Sequence, residues 1–214
     1  MKRALREMLR ERRMDEIAAL AEGRRRVLGT LVSLTFDADD LVAWRAVEAL
    51  GVATARVADR DTAFAREQLR RLLWLITEES GGICWRAPEA MAEIVAHRPD
   101  LFDDYVPIVV HLLLETAEED LEHFRPGILW AIGRLGPLAR TCVADVLPAI
   151  EAALDRPDAA SRGMAVWCLG RVGHTRALVA RPELAADAAS VALYQEGELR
   201  PVTVALLRER ALAE

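Results

Sequence analysis

Long apolar runs, paired cysteines and signal-like segments are all missing from this sequence of 214 residues. No window of about 18 consecutive apolar residues occurs, so we expect no membrane-spanning helix. The N-terminal MKRALREMLRERRMDE is charged but has no apolar centre, which argues against a secretory signal. The cysteines Cys84, Cys142 and Cys168 are odd in number, and none belongs to a CxxC pair. These absences predict a cytoplasmic protein with free thiols.

Aromatic residues make up only 5% of the chain, although 52% of it is hydrophobic, and Ala and Leu supply most of that share. This composition favours packing between helices over a β-sandwich. Alternating β-branched runs and Asn-Gly turns are missing as well, so β structure is not expected.

Excess positive charge is also missing, because the net charge is −6. Residues 1–26 hold nine Lys/Arg against five Asp/Glu, or +4, which leaves −10 for the rest of the chain. This balance argues against nucleic acid as a partner. The acidic charge of the rest of the chain favours another protein as the partner, one that presents basic patches.

Signatures of enzymes and cofactor sites do not occur either. There is no phosphate-binding Gly-rich loop, HExxH, GxSxG or Walker pattern. Cys84 has no histidine at a motif-like spacing, although a cysteine nucleophile needs a base. We therefore expect no catalytic residue and no cofactor.

What the sequence does contain is an internal repeat. A small residue ends each Ala-rich segment, with spacings of 41, 41 and 37 residues: Gly51 in EALG, Ala92 in EAMA, Gly133 in WAIG and Gly170 in WCLG. A degenerate fifth copy fits at RPVTVALLR, where Arg208 stands 38 residues further on. Apolar stripes between the copies, including those at 105–116, 143–154 and 184–193, predict a second helix for each unit.

Two of these copies resemble a known family. SRGMAVWCLGRVG at 161–173 and FRPGILWAIGRLG at 124–136 are similar to the VR-x-A-A-x-x-A-L-G-x-(I/L)-G pattern of HEAT repeats, in particular the short bacterial HEAT-like repeats related to phycobilisome lyase subunits. Pro148 is similar to the proline that kinks the first helix of a HEAT unit.

The resemblance implies an all-α fold, an α-solenoid of about five HEAT-like helical hairpins whose second helices line a concave surface. The repeats would span roughly 23–60, 61–100, 101–138, 139–176 and 177–214. Residues 1–22 lack the small residue and the apolar pattern that recur in each repeat unit. They would form a capping helix or pair of helices, and the alternative is a basic docking helix.

Acidic residues stand a few positions before an arginine in successive units: Asp39 and Arg45, Glu79 and Arg86, Glu119 and Arg125, Asp158 and Arg162. Each acid can cap the second helix of its unit. Each arginine can pair with that acid or with its equivalent in the next unit. In the segment ESGGICW at 79–85, Glu79 is thus interpreted as a cap, and Gly81-Gly82 needs a separate explanation. Two adjacent glycines suit either a plain turn or the close approach of a ligand to the backbone.

The heptads WRAVEAL at 44–50 and WRAPEAM at 85–91 suggest a binding surface, because Trp and Arg are common at interface hot spots. The same tryptophans could instead fill the core between repeats. The candidate binding residues are Trp44, Arg45, Glu48, Glu79, Trp85, Arg86, Glu89, Arg125 and Trp130.

A weaker candidate is a metal site within HLLLETAEEDLEH, where two antiparallel helices could bring together His111, Glu115, Glu119 and His123. The alternative is a solvated acidic turn. The His-Glu dipeptides of di-iron HEAT-repeat hydroxylases are absent.

We expect a non-catalytic scaffold that binds a protein segment or small ligand on its concave surface. The alternatives that the resemblance implies are a bilin-lyase-like chromophore-binding protein and a HEAT-like DNA-repair glycosylase. The latter needs a basic channel, which the acids here would offset.

Overall fold

The structure is a computed structural model that describes residues 1–77, 86–118 and 122–213. The α-helices are α1 (Lys2–Arg10), α2 (Met14–Gly23), α3 (Arg26–Leu34), α4 (Asp40–Ala58), α5 (Thr62–Thr77), α6 (Ala87–His97), α7 (Pro99–Phe102), α8 (Val106–Glu118), α9 (Arg125–Leu135), α10 (Leu147–Ala152), α11 (Ala159–Val172), α12 (Arg176–Val179) and α13 (Val204–Ala213). Two strands, β1 (Ser190–Gln195) and β2 (Glu198–Thr203), form a hairpin. The chain is thus mostly helical, as its composition predicts.

Two compact units divide the chain. Unit 1 comprises Met1–Asp103 together with Tyr194–Leu199, and unit 2 comprises Asp104–Leu193 together with Arg200–Glu214. The strands of the hairpin therefore belong mainly to unit 2, whereas Tyr194–Leu199, which we call the hairpin tip, belongs to unit 1.

The long helix α4 is the centre of unit 1, where it packs against α1, α2, α3, α5 and α6. Its apolar side chains Val42, Val47 and Leu50 are almost completely buried. The first two helices close one side of this core, since Leu5, Leu9 and Ile17 have no more than 1% of their surface exposed. In unit 2, α11 is the central helix and packs against α9 and α13.

The repeated small residue is explained by close contact between helices. A Cβ on Gly51 in α4 would lie 2.8 Å from Nδ1 of His97 on α6. One on Gly170 in α11 would lie 2.6 Å from the Cβ of Ala211 on α13, and one on Gly133 in α9 would overlap the Trp167 ring of α11. Since interiors are close-packed, these helices need a residue without a side chain at the contact.

Two of the predicted helix caps are confirmed. Asp39 begins α4 and accepts a hydrogen bond from the Val42 amide at 3.4 Å, and Asp158 begins α11 and accepts one from the Ser161 amide at 2.7 Å. Each carboxylate thereby satisfies an amide that has no partner within the helix. The acids Glu79 and Glu119 lie outside the described residues.

The expectation that β structure is absent was wrong, and so was the helix expected at 184–193. A 3₁₀ helix at Pro182–Ala186 is followed by β1, and Glu196 and Gly197 connect β1 to β2 with φ angles of 55° and 82°. Positive φ at both central residues is what a type I′ turn requires. Glu is rare in that conformation, so the turn lacks its usual Asn-Gly or Asp-Gly signal.

Pro148 also differs from expectation. It occupies the first turn of α10, where the missing amide costs no helical hydrogen bond, instead of kinking a longer helix. None of the helices in the described part of the chain is both long and apolar enough to span a bilayer.

Candidate functional site

Arg45 is the centre of the candidate site, which lies on α4 in unit 1. Its guanidinium is buried and donates to the carbonyl oxygens of Leu9 at 3.2 Å and Arg10 at 2.6 Å. It also donates to the carbonyl oxygen of Gly197 at 3.0 Å and to the Glu198 carboxylate at 3.0 Å. The planar guanidinium presents donors in several directions, so one side chain can bind several segments at once.

Trp44 lies beside Arg45, and its ring contacts the described side chains of Tyr194 and Arg86. The Tyr194 ring stacks on it with centroids 5.2 Å apart and an interplanar angle of 8°. The Arg86 guanidinium lies 4.4 Å from the Trp44 ring centroid, which is a cation–π distance. Trp44 itself is only 8% exposed, because the hairpin tip covers it.

Glu48 lies one helical turn after Trp44 and binds two further groups. It accepts a hydrogen bond from the Arg12 guanidinium at 2.9 Å and another from the Tyr194 hydroxyl. Burial and the adjacent Glu48 carboxylate raise the pKa of the Tyr194 hydroxyl, so this group stays a donor. The bond to Glu48 likewise raises the pKa of Arg12.

Two features of the tip favour glycine at position 197. Its φ of 82° is costly for other residues, and a Cβ at this position would overlap the Arg12 side chain. The tip backbone therefore lies directly against Arg12. We use the name α4 site for Arg12, Trp44, Arg45, Glu48 and Arg86, and the hairpin tip is what it binds.

Further charged groups lie at the start of α6, which packs against α4. Arg86 pairs with Asp40 of α4 at 3.4 Å and lies 4.0 Å from the Glu89 carboxylate. Glu89 is 2% exposed, and no described residue donates to its Oε2. Burial raises the pKa of Glu89 to about 7, although Arg86 acts in the opposite direction. Glu93 and His97 follow on the same face of α6, with Nδ1 of His97 lying 3.4 Å from the Glu93 carboxylate.

The other candidate binding residues do not join this group. Arg125 and Trp130 belong to unit 2, where Arg125 donates to Glu122 at 2.8 Å. Trp130 is 2% exposed and stacks on Trp167, with ring centroids 6.0 Å apart, so it belongs to the core of that unit. Glu79, Trp85 and Cys84 lie outside the described residues.

Three of the candidate metal ligands, His111, Glu115 and His123, lie in unit 2. Nδ1 of His111 is 2.8 Å from the Pro107 carbonyl oxygen, and its Nε2 is 3.9 Å from Asp145. Glu115 is exposed, and His123 packs against the Phe124 ring. Glu119 lies outside the described residues. Within residues 1–77, 86–118 and 122–213, no three His, Cys, Asp or Glu side chains form a group able to hold a metal ion.

Sequence reasoning did not find Arg12, Tyr194, Gly197 or Glu198. Arg12 is one of many arginines near the N-terminus, and the other three belong to the unrecognised hairpin. The signals available in the sequence were Val191 and Tyr194, which are residue types common in strands, and Gly197 after them, a residue type common in turns. Among the described residues, the α4 site holds no nucleophile beside a base, and the hairpin tip contributes a ring, a carboxylate and a backbone carbonyl to its contacts.

Comparison with known proteins adds one relative. An uncharacterized protein of Archaeoglobus fulgidus is 31% identical over 110 residues, which are 51% of this chain and 54% of that protein. The match therefore covers about half the length of each protein, and the relative's name states no activity. No family model matches the chain.

Proposed function

We propose that this protein is a non-catalytic interaction module, a HEAT-like helical-repeat protein that binds a segment of another protein at the α4 site. One observation carries the proposal. Trp44, Arg45 and Glu48, which are among the candidate binding residues of the sequence, each contact a short segment of the chain, the hairpin tip. A stacked ring and charge-assisted hydrogen bonds are typical of peptide recognition.

The repeat architecture in this proposal is supported by contacts inside each unit. Helices at equivalent repeat positions pack side by side, α4 with α6 in unit 1, and α9 with α11 and α11 with α13 in unit 2. The glycines at the repeat positions lie at these contacts. Stacked helical hairpins bury a continuous core in the same manner.

The test is affinity capture from native lysate with quantitative mass spectrometry. The wild-type chain is compared with Arg86→Glu, which reverses the charge beside the Trp44 ring at a residue whose side chain is 21% exposed. We expect at least one captured protein to fall roughly tenfold in the variant, because a charge reversal at a binding surface weakens association strongly.

The matched control is Arg70→Glu, the same change at an exposed residue of α5 that pairs with Glu67. It should capture the same proteins as the wild type. Thermal melts followed by circular dichroism establish that each variant is folded, and Arg86→Ala replaces Arg86→Glu if the latter is not. Identical captures by the wild type and all folded variants would contradict the proposed function.

A further inference from the structure

We propose that the hairpin tip acts as an internal ligand of the α4 site. The site binds a turn of a partner protein that presents an aromatic side chain and, four residues later, a carboxylate. The chain's own tip competes with that turn for the site. This inference rests on the proposed function and adds the chemistry of the partner and the means of regulation.

The hairpin tip has four features that the site recognises. The Tyr194 ring stacks on Trp44, and its hydroxyl donates to Glu48. The Gly197 carbonyl oxygen and the Glu198 carboxylate both accept from Arg45. All four lie within the five residues Tyr-Gln-Glu-Gly-Glu, so a single turn of another protein can supply them.

The site is held in place by contacts that do not involve the tip. Two carbonyl oxygens, those of Leu9 and Arg10, accept from the Arg45 guanidinium. Glu48 accepts from Arg12, and the Arg86 guanidinium lies against the Trp44 ring. When the tip leaves, these contacts can keep the binding groups in position, and a preorganised site loses less entropy when it binds.

The tip is a weaker ligand than this site can accommodate. Glu196 has a φ of 55°, a conformation that Asn or Gly adopts more easily than Glu. The Glu198 side chain is 43% exposed, so water screens its ion pair with Arg45. A partner turn with a less strained backbone can therefore displace the tip. Since the Arg45 guanidinium faces this ligand, the local charge suits a carboxylate although the chain as a whole is acidic.

The probe is a fluorescent cyclic peptide with the sequence of residues 190–203, SVALYQEGELRPVT. It is titrated against the wild type and against Tyr194→Ala/Glu198→Ala, whose own tip has lost its ring and carboxylate. We expect the peptide to bind the double variant at least about tenfold tighter, because the free site is only partly populated in the wild type. A peptide with Asn in place of Glu196 should bind tighter still.

Two controls identify the site. Adding Arg45→Gln to the double variant should weaken binding about tenfold, since two of the ligand's acceptors bind this guanidinium. A peptide with Ala in place of both Tyr194 and Glu198 should not bind. If Tyr194→Ala/Glu198→Ala does not melt cooperatively, Tyr194→Phe/Glu198→Gln is used instead, and the same order of affinities is expected.

Failure of the peptide to bind either folded protein would overturn the inference, and so would equal affinity for both or indifference to Arg45→Gln. If the double variant instead binds the wild-type chain, as measured by light scattering, the occupant is a second copy and the proposed partner is wrong. Capture that depends on Arg86 while the peptide does not bind would overturn only this inference. Captures that do not depend on Arg86 would remove the proposed function itself.

Discussion

At the scale of single residues, Arg45 and Glu89 differ in how burial is compensated. The Arg45 guanidinium has acceptors on two segments of the chain, residues 9–10 and residues 197–198. Glu89 is equally buried, yet one of its carboxylate oxygens has no donor among the described residues. A buried charge without hydrogen bonds is costly, so the protonated form of Glu89 is favoured.

Glu89 therefore gives the stability of the protein a distinct dependence on pH. In the unfolded chain its pKa returns to the ordinary value of 4.5, whereas in the folded chain it is about 7. Below pH 4.5 both states are protonated. As the pH rises from 4.5 to about 7, the unfolded state loses its proton first and stability falls, and above this window no further loss occurs.

The measurement is urea unfolding at about pH 5 and about pH 8. Between these two pH values, the free energy of unfolding of the wild type should fall by about 2 kcal/mol more than that of Glu89→Gln. Carboxylates such as Asp37 do not affect this comparison. The hydrogen bond from Arg6 lowers the pKa of Asp37, so the contribution of Asp37 to stability is lost only at acid pH. Glu67→Gln, at an exposed position of α5, should change the same difference by less than about 0.5 kcal/mol. Equal pH dependence in all three proteins would contradict this account of Glu89.

At the scale of elements, the helix contacts at the repeat glycines make a second prediction. Gly133→Ala should destabilise the protein by about 1–3 kcal/mol, because its methyl group would overlap the Trp167 ring. The control is Gly29→Ala, inside α3, where an added Cβ meets nothing within 4 Å.

Gly29→Ala should stabilise the protein by about 0.5–1 kcal/mol, through the better helix propensity of alanine. Denaturant midpoints measured at one pH give both values. If Gly133→Ala does not change stability, the small residue at this repeat position has no packing role between α9 and α11.

At the scale of the whole molecule, the assignment of the hairpin tip to unit 1 makes that unit depend on residues from near the C-terminus. In Tyr194→Ala/Glu198→Ala, amides of α1 and α4 should exchange with solvent roughly tenfold faster than in the wild type. The ring contact and hydrogen bonds of Tyr194, Gly197 and Glu198 with α4 lie in unit 1, so α9 and α11 of unit 2 should keep their protection. Hydrogen exchange followed by mass spectrometry measures this, and equal acceleration in both units would mean that the chain opens as a single cooperative body.

The sequence by itself determined the helical class and the positions of α4, α6, α9 and α11, whereas the first half of the fifth copy, RPVT, lies in β2 instead of a helix. Local rules are sufficient for both: apolar periodicity defines a buried face, Asp39 and Asp158 have the chemistry of caps, and a small residue recurs where helices touch. The sequence also identified Trp44, Arg45 and Glu48 as side chains of unusual chemistry. It left open whether these side chains pack inside the protein or bind a ligand.

Only the tertiary structure decided what covers those three side chains. The hairpin depends on Glu196 in a conformation that its own propensity disfavours, so the Asn-Gly or Asp-Gly pair that usually predicts such a turn is missing. Its contacts with α4 join residues about 150 positions apart, as from Arg45 to Gly197. Packing and buried hydrogen bonds with α4 offset the local strain of the turn, and such long-range energies are absent from a single stretch of sequence.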